Sequence, residues 1–124
     1  MNIPSNLFYA KTHEWARKEG SKVYVGITDH AQHEITDIVH VELPEVGKKF
    51  KKTQPCAVVE SVKSAFDIYS PVSGTVVEVN DAVLSSPELI NQSPYEKGFF
   101  FAIELENEND LKDLLSAEDY KKSI

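Results

Sequence analysis

The chain has 124 residues, 41% of them hydrophobic and 27% charged, with a formal net charge of −7. That length suits one domain, residues 1–124, which can bury roughly two-thirds of its unfolded surface without a staple. The acidic balance excludes the basic face that nucleic acid or an anionic membrane would need, and Cys56, the one cysteine, can close no internal disulfide.

No apolar run approaches the roughly 20 residues of a bilayer span. The N-terminal "MNIPSNLFYAKTHEW" has no basic region before an apolar run, so it does not read as a secretory signal. The first strand signal is "SKVYVGIT", with Val23, Val25 and Ile27 on alternate positions. Thr28 and Asp29 then offer N-caps for a short helix through "HAQHEI". "TDIVHVELP" alternates Ile38, His40 and Glu42 against Val39, Val41 and Leu43, a strand with one apolar face that Pro44 ends. "EVGKKFKKTQP" reads as a solvated loop or edge hairpin. Cys56 sits in a strand-like run and reads as a small core residue. "GTVVEVN" is another strand, and Ser86 and Pro87 then fit the N-cap and first residue of a helix. "FFFAIEL" is a buried or half-buried strand. The tail, about 108–122, has Leu111, Leu114 and Leu115 at helical spacing, with Ser116 and Asp119 as a capping box. The sum is a mainly β domain, a compact sandwich or partly closed barrel, with a helix early and helices at the end.

Two strand-like runs flank Lys63 in "VVESVKSAFDIYSPVSG". Placing Val62 and Lys63 at the turn sets Ser61 opposite Ser64, Val59 opposite Phe66 and Ala57 opposite Ile68, an apolar face behind a lysine tip. A shift of one residue mixes the two faces. A two-residue turn of this kind is expected to need positive φ, which valine and lysine resist, so strain is expected there. Three readings compete: a solvated lysine in a longer loop, a catalytic lysine, or a lysine presented for covalent modification. The second needs burial that a hairpin tip lacks. The third fits a rigid, protruding site.

"VESVKSAFDIYSPVSGTVVEVN" resembles the lipoyl-lysine segment of the glycine cleavage H-protein family. The resemblance runs in order through "THEW", "VGITDHAQ", "DIVHVELPEVG", "PELINQSPYEKG" and the "LL…Y" tail, essentially the whole chain. It implies a lipoyl-type barrel-sandwich hybrid, with a lipoyl hairpin at about 57–69. It further implies that lipoate acylates Lys63 and that the protein is a shuttle and not an enzyme. Its implied partners are a pyridoxal-phosphate glycine decarboxylase, a tetrahydrofolate-dependent aminomethyltransferase, dihydrolipoamide dehydrogenase and a lipoate ligase or lipoyltransferase. A monomer is expected, in the cytoplasm if bacterial or in the mitochondrial matrix if a mature eukaryotic form. Thr12, Glu14 and Asp67 match positions near a cleft that shields the loaded arm, where Glu14 or Asp67 could pair with a cationic amine. Glu60, Ser61, Val62 and Asp67 flank the lysine and are candidates for recognition by modifying enzymes.

Three positions depart from the family pattern: Thr36 stands where glycine is usual, His40 where an aromatic is common, and Phe99 where tryptophan is usual. His30 and His33 have a spacing that can hold a metal, but no third ligand lies near in sequence, so they read as a surface pair. The alternative function is a relay that donates lipoate to other lipoyl domains. A biotinyl carrier fits less well, because Val62 and Ser64, not methionines, flank the lysine. An enzyme using Lys63 as nucleophile would be active unmodified, whereas a carrier would not.

Overall fold

The computed structural model describes residues 1–124. In chain order it contains β1 (Phe8–Tyr9), β2 (Glu14–Glu19), β3 (Lys22–Ile27), α1 (Asp29–Ile35), β4 (Ile38–Glu42), β5 (Lys49–Phe50) and β6 (Pro55–Ser61). Then follow β7 (Ala65–Tyr69), β8 (Gly74–Val79), α2 (Ala82–Ser85), α3 (Glu88–Gln92), β9 (Phe101–Leu105), α4 (Asn109–Lys112) and α5 (Ala117–Ser123). One six-stranded sheet runs β1-β2-β3-β9-β8-β5, and a three-stranded sheet runs β4-β6-β7. No helix is long and apolar enough to cross a membrane.

The main core gathers inward side chains of both sheets, among them Val25, Val59, Ile68, Val76 and Ile103. The alternation in β3 does what its sequence predicts: Val23, Val25 and Ile27 are all buried. Cys56 is a core residue, and burial pushes its thiol up to about 12, with Glu14 adding to the rise. A second apolar cluster ties both ends of the chain together. Here Tyr9, Trp15, Tyr95 and Tyr120 meet Ile3, Leu7 and Ala117. Tyr9 stacks on Tyr120 with ring centroids 4.8 Å apart, and the Trp15 indole N–H donates to the Pro94 carbonyl at 2.9 Å.

Several expectations need correction. The alternation expected in β4 breaks at a bulge between Ile38 and His40, so Ile38 and Val41 both point inward while Val39 is exposed. Lys49 and Phe50 form an edge strand, and Phe50 is buried, so this stretch is not a purely solvated loop. The Ser86 hydroxyl caps nothing at α3; Pro87 already has helical dihedrals, and only the Ser86 carbonyl joins the turn. Leu114 and Leu115 do not continue α4, because Leu115 instead forms a β-bridge with Tyr9. Ser116 does cap α5, accepting from the Asp119 N–H at 3.2 Å.

Strands β1 and β2 carry no clean sequence signal. From β2, its hairpin partner β3 is reached through a two-residue turn that Gly20 opens with φ 67°, matching the glycine-first hairpin turn. This hairpin brings Thr12 and Glu14 to the end of β7.

Candidate functional site

The hairpin around Lys63 has the register its sequence predicts. Val59 pairs with Phe66, Val58 with Asp67, and Ala57 with Ile68. The Ser61 N–H donates to the Ser64 carbonyl at 2.8 Å and closes the tip. The expected strain is absent: neither Val62 nor Lys63 has positive φ. The Ser61 hydroxyl oxygen explains this, since it accepts from the Lys63 N–H at 3.3 Å and the Ser64 N–H at 3.2 Å. A serine can thus hold a turn that lacks glycine or asparagine. Lys63 and Val62 are exposed, and the apolar face runs out near the tip, where Phe66 is 41% exposed.

Behind the tip, β7 borders a cavity of about 320 Å³ lined by Phe66, Asp67, Ile68, Ile27, Ala31 and Ile35. Thr12, His13, His30 and Glu34 complete its rim. From Lys63 to Asp67 the strand rises only about 13 Å, a distance that a long modified side chain can span. Thr12 also borders a neighbouring cavity of about 340 Å³, where Glu14 and Tyr69 stand. Thr12 is the residue that the two cavities share.

Glu14 is only 1% exposed. The Thr12 hydroxyl donates to its Oε1, and the Tyr69 N–H donates to its Oε2 at 3.0 Å. No basic side chain pairs with it. Burial dominates over these hydrogen bonds and pushes its carboxyl up to about 7. A buried carboxylate with neutral donors on both oxygens, and no cation of its own, is suited to receive a cationic group.

A model of the family described as "Glycine cleavage H-protein" matches residues 7–124. The chain belongs to the glycine cleavage H-protein family. It is 66% identical to the glycine cleavage system H protein of Endomicrobium trichonymphae over all of both chains. With that of a Thermus thermophilus strain it shares 54% identity, over 100% of this chain and 97% of the relative. The crystal structure of a glycine cleavage system H protein from Mycobacterium marinum superposes with a TM-score of 0.89 at 35% identity, over 97% of each chain. The fold is accordingly the mainly β lipoyl-domain sandwich, and proteins of this family are lipoyl carriers.

Of the residues singled out in the H-protein pattern, Lys63, Val62 and Ser61 make the tip. Glu60 is half-buried opposite Ala65 and His40, and Asp67 is exposed on the cavity's edge. Thr12 and Glu14 come together at the far corner. The family's glycine position is explained: Thr36 ends α1 with φ 69° and ψ −144°, a conformation that suits glycine. Phe99 takes an edge-to-face place against Tyr24 with ring centroids 5.3 Å apart. His33 is exposed, while His30 turns toward His13 with ring centroids 4.9 Å apart. No group of three or more His, Cys, Asp or Glu is placed to hold a metal. Tyr69 and His13 belong to the site and are not legible in the sequence, because their part in it depends on where β2 docks.

Proposed function

We propose that Lys63 carries lipoate and that the chain is the carrier of the glycine cleavage system, with residues 57–69 as its lipoyl hairpin within one unit of 1–124. The observation that carries this reading is an exposed lysine on a well-registered hairpin, with a cavity behind it that shares Thr12 with a second cavity, where Glu14 stands buried and in no ion pair. The residues fit the group. Ile27, Ala31, Ile35 and Ile68 offer an apolar wall to a hydrocarbon chain and its ring. When bound, lipoate would supply a cyclic disulfide that opens to take an aminomethyl cargo on one sulfur and is left as a dithiol once the cargo has gone.

The chain's own residues supply presentation and holding. Amide formation removes the Lys63 charge and takes the formal charge from −7 to −8. Glu60, Ser61, Val62 and Asp67 frame the lysine for a lipoate ligase or lipoyltransferase. At the other end of the cleft, Glu14 accepts hydrogen bonds from a cargo ammonium while the Thr12 hydroxyl fixes its Oε1. A cation there lowers the Glu14 pKa, and the carboxylate favours the protonated amine in return. Asp67 adds a second negative charge at the edge of the cleft. Partners are glycine decarboxylase, aminomethyltransferase and dihydrolipoamide dehydrogenase, and the carrier itself catalyses nothing.

Intact mass after expression with lipoate and a lipoate ligase tests the attachment. A lipoyl increment that disappears in Lys63→Arg supports it; no increment, or a biotinyl one, overturns it. Reconstitution with glycine decarboxylase then separates shuttle from relay. A lipoylated chain that never becomes loaded with cargo would sink the shuttle reading and leave the relay.

A further inference from the structure

A buried hydrogen-bond chain ends on the histidine between Thr12 and Glu14. The Thr28 hydroxyl oxygen caps α1 by accepting from the Ala31 N–H at 3.1 Å. It also lies 2.8 Å from the Tyr120 hydroxyl, which in turn lies 2.7 Å from His13 Nδ1. Thr28 and Tyr120 are both fully buried. Each hydroxyl has one proton to give. Thr28 has no other acceptor within hydrogen-bond range, so its proton goes to Tyr120. The Tyr120 proton is then free for His13 Nδ1. The reverse order would leave the Thr28 proton buried and unbonded, a desolvation penalty with nothing to offset it. His13 is itself held at φ 77°, so its ring position depends on its surroundings rather than on backbone preference.

We infer that Tyr120, oriented by the Thr28 hydroxyl, is a positioning residue that holds His13 as the neutral Nε2–H tautomer, so that the histidine beside the cleft has no free ring lone pair with which to take a proton from a cargo ammonium. The inference about the cleft rests on the proposed carrier function; the tautomer does not. Its chemical value is direct. A carbon bearing both an amine and a sulfur holds together while the amine stays protonated, since an ammonium has no lone pair with which to displace the sulfur. A basic imidazole in the cleft would remove that proton. Here one ring nitrogen already carries hydrogen and the other accepts from Tyr120.

The groups around His13 act in both directions. Burial and the His30 ring lower its pKa, and Glu34 on α1 raises it by less. Asp67 on β7 and Glu14 in the same segment are the other ionisable groups nearby. Protonation at Nδ1 would reverse the whole hydrogen-bond chain, which works in the same direction as burial.

Long-range proton–nitrogen NMR on the nitrogen-15-labelled, unlipoylated chain tests this at neutral pH. The expected pattern for His13 is an unprotonated Nδ1 and a protonated Nε2. Tyr120→Phe keeps the ring stack on Tyr9 but removes the donor. It should give a tautomer mixture and move the His13 titration midpoint upward. Thr28→Val should leave the tautomer in place, because His13 Nδ1 is then the one partner left for the buried Tyr120 proton. In the lipoylated, loaded protein, Tyr120→Phe should release cargo severalfold faster near pH 7. A protonated Nδ1 in the native chain, or a His13 tautomer unchanged in Tyr120→Phe, overturns the inference. A purely structural role for Tyr120 would lower stability without moving the tautomer. Failure of lipoylation at Lys63 would show in the mass and would overturn the carrier reading while leaving the tautomer measurement intact.

Discussion

The hairpin tip and the floor of the cleft are built in opposite ways. At the tip, Val62 is 78% exposed and one serine hydroxyl supplies the side-chain bonds that hold the turn. At the floor Glu14 is buried, as are Thr28 and Tyr120 behind His13, and each is held by hydrogen bonds from a different part of the chain. A lysine that another enzyme must reach has to stand clear of its own protein. A group that must hold a cation away from water has to be buried, and burial there carries an electrostatic cost. Changes at the tip should therefore alter modification and spare stability. Changes at the floor should alter stability and its pH dependence together.

The largest effect expected at the tip is all or nothing. Lys63→Arg keeps the charge and removes the acylable amine, so the lipoyl mass increment should vanish. Because the residue is exposed, its stability should stay within about 0.5 kcal/mol of the parent, read from urea unfolding. A loss of several kcal/mol would mean that the tip is part of the packed structure and would break the contrast.

Glu14→Gln tests the floor. Folding raises the Glu14 pKa from 4.5 to about 7, so between those values the folded chain binds more protons than the unfolded one. Stability from this group is therefore greatest on the acid side and falls as pH rises through that window. At about 1.36 kcal/mol per pH unit the fall amounts to about 3 kcal/mol. Glutamine does not titrate, and its amide can reverse the bond to the Thr12 hydroxyl. The variant should match the parent near pH 4.5 and exceed its stability by up to about 3 kcal/mol at pH 8. His13, with its lowered pKa, adds stability as pH rises toward its ordinary 6.5, so the difference between the two proteins is the informative quantity. The same variant should hold cargo less well. A parent whose advantage or deficit does not change with pH would show that Glu14 is already charged without a partner.

How much of this is legible in the sequence follows the same division. The register of the tip can be read because a period-two pattern with a central lysine has few consistent pairings, and Thr28 and Ser116 declare themselves as caps. Glu14 can be named only through resemblance, since "KTHEWARKEG" looks solvated and nothing local says that a glutamate in it is buried. The strain expected at Val62-Lys63 does not arise because Ser61 is the turn's hydrogen-bond acceptor, a role that strand pairing alone does not reveal. The leucine spacing of the tail misleads for a related reason: Leu115 is claimed by Tyr9 across the chain, which helical periodicity cannot register.

A smaller effect lies at the end of α1. Thr36 ends α1 in a glycine-like conformation and is held there by Asn91, whose amide donates to the Thr36 carbonyl at 2.7 Å and whose side-chain oxygen accepts from the Ile38 N–H at 3.0 Å. The strain is worth about 1 to 3 kcal/mol, partly offset by the freedom glycine would add to the unfolded chain. Thr36→Gly should gain on the order of 1 kcal/mol in denaturant unfolding. Asn91→Ala, by releasing the clamp, should lower stability. Opposite signs from these neighbours would place the strain in the backbone; a destabilising Thr36→Gly would show that the threonine side chain is doing the holding.

The smallest expected effect returns to Lys63. Ser61→Ala removes the oxygen that accepts from the Lys63 and Ser64 N–H groups but leaves the Ser61–Ser64 backbone bond. Both amides are exposed, so water can replace the lost partner, and the cost should be only about 0.5 kcal/mol. Amide exchange at Lys63 and Ser64 should quicken while exchange at Val59 stays slow, since Val59 is fully buried in the ladder. Modification is the more sensitive readout. If the serine's task is to give the tip one shape, lipoylation should slow more than the small stability change would explain. An unchanged lipoylation rate, with the faster local exchange present, would show that the modifying enzyme shapes the turn itself.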